Sequence, residues 1–248
     1  MCSLFARKPR LAGIVEELTL SIGNGDDSDG RSQTEVCLQS NFWPTVSEAL
    51  HHMTRLLFLN VHVDNAGDVA QAWILNGTVF RLRGFRCDLQ WDAHLVSFLN
   101  TQTDINDLYI ADYSIPEDVG QTSTSVSSSL EPGALPKLST LECTFAEAAF
   151  ALIPHRPISR LKTCFSKTRL PEKRKELSFL FSKLTETTHS LRSLDIADSS
   201  YSDSFSMELL ASISKLQNRV RDLRYLGTLV LPIDGRVVRG SVRKKVVS

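Results

Sequence analysis

The chain has 248 residues and a mass of 27.7 kDa, with hydrophobic residues at 42% and charged residues at 23%. That is enough apolar content for a buried core, and it excludes a wholly disordered or fibrous chain. Lysine plus arginine and aspartate plus glutamate number 28 each, so no cation excess argues for a nucleic acid or a membrane surface as partner.

The N-terminal run Met1 to Arg10 lacks an apolar core, so no signal peptide is expected. A first strand is expected at Val15-x-x-Leu18-x-Leu20, where alternation puts 18 and 20 on one face and 17, 19 and 21 on the other. Residues 23–35 read as a flexible insertion. Within it Gly25-Asp-Asp-Ser-Asp-Gly30 resembles a calcium loop, but with Gly30 sixth the first ligand would be Gly25 and the last Val36, so no metal is expected.

A helix from Pro44 to Met53, with Val46, Leu50 and Met53 on one face, precedes the strand Leu56-x-x-Leu59-x-Val61. A helical stretch from Asn65 to Leu75 carries Val69 and Trp73. Asn76-Gly-Thr78 matches a glycosylation pattern but reads as Asn-Gly turn chemistry. Next come the strand Leu82-x-x-Phe85-x-Cys87, a helix from Trp91 to Asn100 and the strand Ile105-x-x-Leu108-x-Ile110.

Residues 114–135, rich in Ser and Thr with two prolines, read as a second flexible insertion. The strand Leu138-x-x-Leu141-x-Cys143, a helix from Phe145 to Ile153 and the strand Ile158-x-x-Leu161-x-Thr163 follow. A helix from Pro171 to Thr185 has Lys173-Arg-Lys175 in its first turn, which reads as a charged outer face. The strand Leu191-x-x-Leu194-x-Ile196, a helix from Ser204 to Val220 and a last unit Leu226-x-x-Leu229-x-Leu231 complete the series. Residues 236–248 form a basic tail.

The central positions are therefore 18, 59, 85, 108, 141, 161, 194 and 229, at intervals of 20 to 41 residues. Strand and helix alternating at such periods predict an α/β fold, an irregular leucine-rich-repeat solenoid of one domain (1–248). Its parallel strands would lie in chain order with helices on the outer face. The competing reading is a doubly wound α/β domain. That arrangement buries strands on both faces and favours continuous Val/Ile/Leu runs, whereas these strands keep one polar face. The asparagine ladder of regular leucine-rich repeats is missing, so an uneven arc is expected.

No catalytic signature emerges. The six histidines form no HxxxH or HExxH pair, GxSxG is absent, and the five cysteines show no CxxC spacing. Neither a cofactor nor a metal is expected, and the unpaired cysteines suit a reduced cytoplasmic or nuclear setting. Cys87 and Cys143 fall at inward positions, Cys164 on the polar face. The polar face carries the functional candidates Phe58, His62, Arg86, Tyr109, Glu142, Arg160, Lys162 and Asp195, with Asp88 on the same face. Exposed aromatics beside arginine suit a protein partner, with neither nucleic acid nor membrane expected.

Two phrases carry a family resemblance. One is a helix ending in Phe-Leu and a Gln, followed by Ile-x-x-Leu-x-Ile, at Phe98 to Ile110. The other is Leu-Pro-x-Leu-x-x-Leu at Leu135 to Leu141. Together they resemble the leucine-rich region of F-box proteins of mushroom-type (basidiomycete) fungi, over about residues 14 to 231. The resemblance implies a substrate-recognition arc of an SCF-type ubiquitin ligase, whose adaptor is bound by an F-box. No F-box is found before Val15, so an SCF adaptor is expected only where an F-box is supplied elsewhere. The other readings left open are an α/β enzyme with an unrecognised site and a truncated remnant without a partner.

Overall fold

The computed structural model describes residues 1–22, 41–63, 72–111, 130–198 and 202–230. The expected loop over 23–35, most of the insertion over 114–135, the greater part of the helix expected from Asn65 and the basic tail lie outside the described residues.

Two short helices, α1 (Cys2–Arg7) and α2 (Pro9–Ala12), precede β1 (Glu17–Ile22). Then follow α3 (Phe42–His52), β2 (Phe58–Val63), a 3-10 helix (Ala72–Leu75), β3 (Gly84–Cys87), α4 (Ala93–Thr101), β4 (Asp107–Ile110) and β5 (Thr140–Cys143). The chain continues through α5 (Ala146–Leu152), β6 (Arg160–Cys164), α6 (Leu170–Thr185), β7 (Ser193–Ala197), α7 (Asp203–Lys215), a 3-10 turn (Gln217–Arg219) and β8 (Tyr225–Leu226). Polar side chains start two of the helices. Asp92 accepts from the Leu95 N–H at 2.8 Å ahead of α4, and Ser202 accepts from the Phe205 N–H at 3.3 Å ahead of α7.

All eight strands form one parallel sheet in chain order, β1 to β8. Leu18, Leu59, Phe85, Leu108, Leu141, Leu161, Leu194 and Leu226 pair laterally in register. Two residues on, Leu20, Val61, Cys87, Ile110, Cys143, Thr163 and Ile196 make a second inward rung. Apart from the half-buried Leu20 and Leu226 at the two ends, both rungs are buried. Removing each leucine from water contributes about 1.5–3 kcal/mol. Thr163 is tolerated among them because its hydroxyl accepts the Cys143 thiol.

The helices cover this inward face. Their apolar side chains, among them Val46, Leu50, Leu95, Phe98, Leu180 and Leu209, join the strand ladders in a single buried cluster. Phe98 of α4 meets Phe85 of β3 edge-on, with ring centroids 5.4 Å apart. The opposite face has no such cover among the described residues, with Phe58 47% and Tyr225 54% exposed. All-parallel sheets usually have both faces covered; among the described residues of this chain only one is.

Four expectations need correction. The last repeat unit is displaced by three residues, since Leu226, not Leu229, pairs with Leu194. Asp88 is buried instead of lying on the polar face, and both carboxylate oxygens accept the Val63 N–H, at 3.0 and 2.8 Å. Lys173 does not belong to a charged outer surface. Its ammonium meets both Asp198 oxygens at 2.6 and 2.7 Å, with each side chain only 3% exposed. Finally, the end of the 114–135 segment is packed: Ala134 and Leu135 enter the core, and the buried Arg156 donates to the Ala134 carbonyl at 3.1 Å.

Candidate functional site

Alternation within each strand sends the side chains between the ladder positions to the open face, and the register stacks them into rows. The middle row runs Thr19, Asn60, Arg86, Tyr109, Glu142, Lys162 and Asp195 across β1 to β7. The row before it runs Glu17, Phe58, Gly84, Asp107, Thr140, Arg160, Ser193 and Tyr225. All eight residues singled out in the sequence fall on this face. Arg86, Tyr109, Glu142, Lys162 and Asp195 share the middle row, Phe58 and Arg160 the row before it, and His62 the row after.

Neighbouring rows tie some of these groups together. Lys162 donates to Glu142 Oε1, and that hydrogen bond, reinforced by the carboxylate charge, raises the ammonium's pKa. Arg86 Nη2 lies 3.7 Å from Asp107 Oδ2. His62 Nδ1 lies 3.8 Å from Asp88 Oδ2, where the carboxylate is buried and the ring half-exposed. The exposed Lys162–Glu142 and Arg86–Asp107 pairs contribute about 0–1 kcal/mol each, so they order the face more than they stabilise it.

The Phe58 ring lies over Gly84, where a Cβ would come within 2.9 Å of its Cδ1. Glycine at 84 thus lets the aromatic ring approach the neighbouring strand closely. At the other end the exposed Tyr225 occupies the position that corresponds to Phe58, six strands away. Tyr225 was not singled out in the sequence, because the displaced phase of the last unit placed Thr228 on this face instead. Between β5 and β8 the face dips into a depression of about 160 Å³ lined by Glu142, Arg160, Lys162, Ser193, Asp195 and Tyr225.

A larger hollow of about 410 Å³ lies away from the open face, between the Asn76–Thr78 turn and α4. Asn76 and His94 hydrogen-bond there at 2.9 Å, and Gly77 has a φ of +72°. His62 and Cys164 line neither hollow. The Cys164 thiol donates to the Thr144 carbonyl, and burial raises its pKa. Burial pushes the Cys87 and Cys143 thiols up to about 12. None of the three is tuned toward the nucleophilic thiolate.

Among the described residues, no group of three His, Cys, Asp or Glu side chains could hold a metal. No helix among them is long and apolar enough to cross a membrane. No protein-family model matches the chain, and no curated protein matches it significantly.

Proposed function

We propose that the chain is a non-enzymatic protein-interaction module, an irregular leucine-rich-repeat arc that captures a protein partner on the open face of its sheet. The observation that carries this reading is the exposed face itself. Among the described residues the all-parallel sheet has one side uncovered, with aromatic rings towards both ends and a row of alternating charge between them. Solenoids use such a surface for recognition, and aromatic and arginine side chains are the types that anchor interfaces. Phe58, His62, Arg86, Tyr109, Glu142, Arg160, Lys162 and Asp195 are the proposed contact residues, with Tyr225 added.

The resemblance to fungal F-box proteins extends the proposal to the substrate-holding arc of an SCF-type ubiquitin ligase working in the cytoplasm or nucleus. An adaptor enters this reading only where an F-box accompanies the arc. The test is affinity capture with quantitative mass spectrometry, comparing the chain with a Phe58→Ala/Arg86→Ala/Tyr109→Ala/Lys162→Ala variant. Partners should be lost while the variant stays folded, because Phe58, Arg86 and Lys162 are exposed and Tyr109 is half-buried. Retained capture by the folded variant refutes the proposal.

A further inference from the structure

We infer that Asn76 and Gly77 form a self-modification site, where the Gly77 nitrogen closes on the Asn76 carboxamide to give a succinimide, with His51 as base and His94 as acid. The site lies away from the open face and does not depend on the recognition reading. It performs a single intramolecular conversion of this chain, not turnover of a substrate.

The sequence supplies the dipeptide. Asn-Gly occurs twice, at Asn24-Gly25 and at Asn76-Gly77. Attack by a backbone nitrogen on the preceding side chain needs an unshielded, freely turning residue, and only glycine has no Cβ in the way. Gly77 follows the 3-10 helix Ala72–Leu75 with a φ of +72°, a value that a residue with a Cβ rarely adopts. The N–H groups on either side of it are engaged, Asn76 with the Trp73 carbonyl at 3.0 Å and Thr78 with the Leu75 carbonyl at 3.3 Å. The Gly77 N–H itself donates to no backbone carbonyl among the described residues. Asn76 and Gly77 are exposed and line the 410 Å³ hollow, so water reaches them.

Two helices bring an imidazole to each reacting group. His51, in the last turn of α3, donates from Nδ1 to the Ser47 carbonyl at 2.7 Å. A carbonyl only accepts, so in the neutral ring Nε2 carries the lone pair. A Cβ on Gly77 would lie 3.2 Å from that Nε2. The Gly77 nitrogen is bonded to the same Cα as this position, which puts it no farther than about 5.7 Å from Nε2, the span of one bridging water. His94, in the first turn of α4, meets the carboxamide directly, with its Nδ1 2.9 Å from Asn76 Nδ2 and 3.3 Å from Oδ1. Oδ1 gains charge on attack, and Nδ2 must leave as ammonia. A protonated Nδ1 within reach of both atoms can donate to each in turn.

The steps balance with water as the one added reagent. His51 takes the Gly77 N–H proton, the bond from that nitrogen to Asn76 Cγ forms, and the Cγ–Nδ2 bond breaks as His94 protonates the departing nitrogen. Ammonia leaves, and solvent carries the proton back from one imidazole to the other. Water then opens the ring at either carbonyl, to aspartate or to isoaspartate, in which the main chain runs through the side-chain carbon. Either product places a carboxylate beside two imidazoles, so the turn gains a negative charge with age.

The test is peptide mapping by mass spectrometry of the full folded chain, kept at neutral pH in heavy-oxygen water, where every converted site takes up heavy oxygen. Asn24, in the same dipeptide and the same digest, is the internal reference. Aspartate and isoaspartate should accumulate faster at 76 than at 24. His51→Gln and His94→Gln, each checked for an unchanged fold by circular dichroism, should slow conversion at 76 at least tenfold and leave Asn24 as it was. Gly77→Ala should stop conversion at 76. A second arm needs no variant: unfolding in urea separates the imidazoles from the dipeptide, and conversion at 76 should fall at least tenfold.

An Asn76 that outlasts Asn24 overturns the inference. So does conversion at 76 that keeps its rate with either histidine replaced or with the chain unfolded, which would leave only the ordinary lability of Asn-Gly.

Discussion

The Lys173–Asp198 pair offers the sharpest test of the packing described above. Both side chains are 3% exposed, and the ammonium sits 2.6 and 2.7 Å from the two carboxylate oxygens. At that distance an effective dielectric of about 20 gives an attraction of about 6 kcal/mol. Desolvation costs several kcal/mol for each ion, so the two effects nearly cancel. Asp198→Ala removes this attraction but leaves the buried ammonium in place, 6.0 Å from the Phe205 ring centroid. The expected cost is about 3–5 kcal/mol, and Lys173→Met should cost a similar amount by taking the ammonium from the buried carboxylate.

Replacing both, as Lys173→Met/Asp198→Leu, removes both charges together and should return the protein to within about 1 kcal/mol of the original or above it. Urea unfolding at neutral pH measures all four members of the cycle, with a constant m value confirming that each unfolds as the same unit. An Asp198→Ala cost below about 1 kcal/mol, or a double variant no better than the worse single one, refutes the reasoning.

Three further outcomes are expected. Arg156 donates to the carbonyls of Glu131, Ala134, Ala151 and Pro154, and burial lowers its pKa to about 10. Arg156→Met should therefore cost about 3–5 kcal/mol in urea unfolding, because each stranded buried carbonyl costs about 1–3 kcal/mol. Arg156→Lys should not restore it, since a single ammonium cannot fork to four acceptors. Cys87 and Cys143 should resist thiol-modifying reagents at mildly alkaline pH until the protein unfolds, as mass spectrometry of labelled peptides would show. Their labelling in the native state would contradict the inward ladder.

Burial raises the Glu176 pKa, so in the window between the unfolded and folded values the native state binds more protons, and stability falls as pH rises. Glu176→Gln removes this penalty while keeping an acceptor for the Lys167 N–H. The variant should be more stable than the original at about pH 8, and the difference should shrink at about pH 4. A difference independent of pH excludes the buried carboxylate as its cause.

Much of this architecture was legible because the repeat is local. Seven of the eight central positions read from the sequence, from Leu18 to Leu194, are the residues that pair in register. The eighth failed because Leu223, Leu226 and Leu229 are spaced by three and satisfy the pattern in either phase. Pairing settles the phase, with Leu226 beside Leu194. That slip also hid Tyr225.

Other misreadings share one cause, a contact between residues far apart in sequence. Asp88 was assigned outward by continuing the strand alternation past Arg86, but β3 ends at Cys87, and the next residue turns in to meet the backbone of β2. Lys173 was read among its charged helix neighbours, whereas its partner stands 25 residues on, beyond β7. Arg156 drew no notice because its carbonyl acceptors carry no side-chain signature. The candidate face was recovered well because facing requires only strand alternation and register.

The unequal lengths between strands have a consequence of their own. From Leu18 to Leu226 the ladder positions are separated by as few as 20 and as many as 41 residues, yet each step is one strand spacing of about 4.8 Å. Among the described residues the helices α3 to α7 pack on one side of the sheet, while the open side keeps the even graduations of a ruler. Lengthening or trimming the return segments therefore leaves the tick marks where they were. A change of length between two strands would alter neither the spacing nor the order of the side chains along that scale.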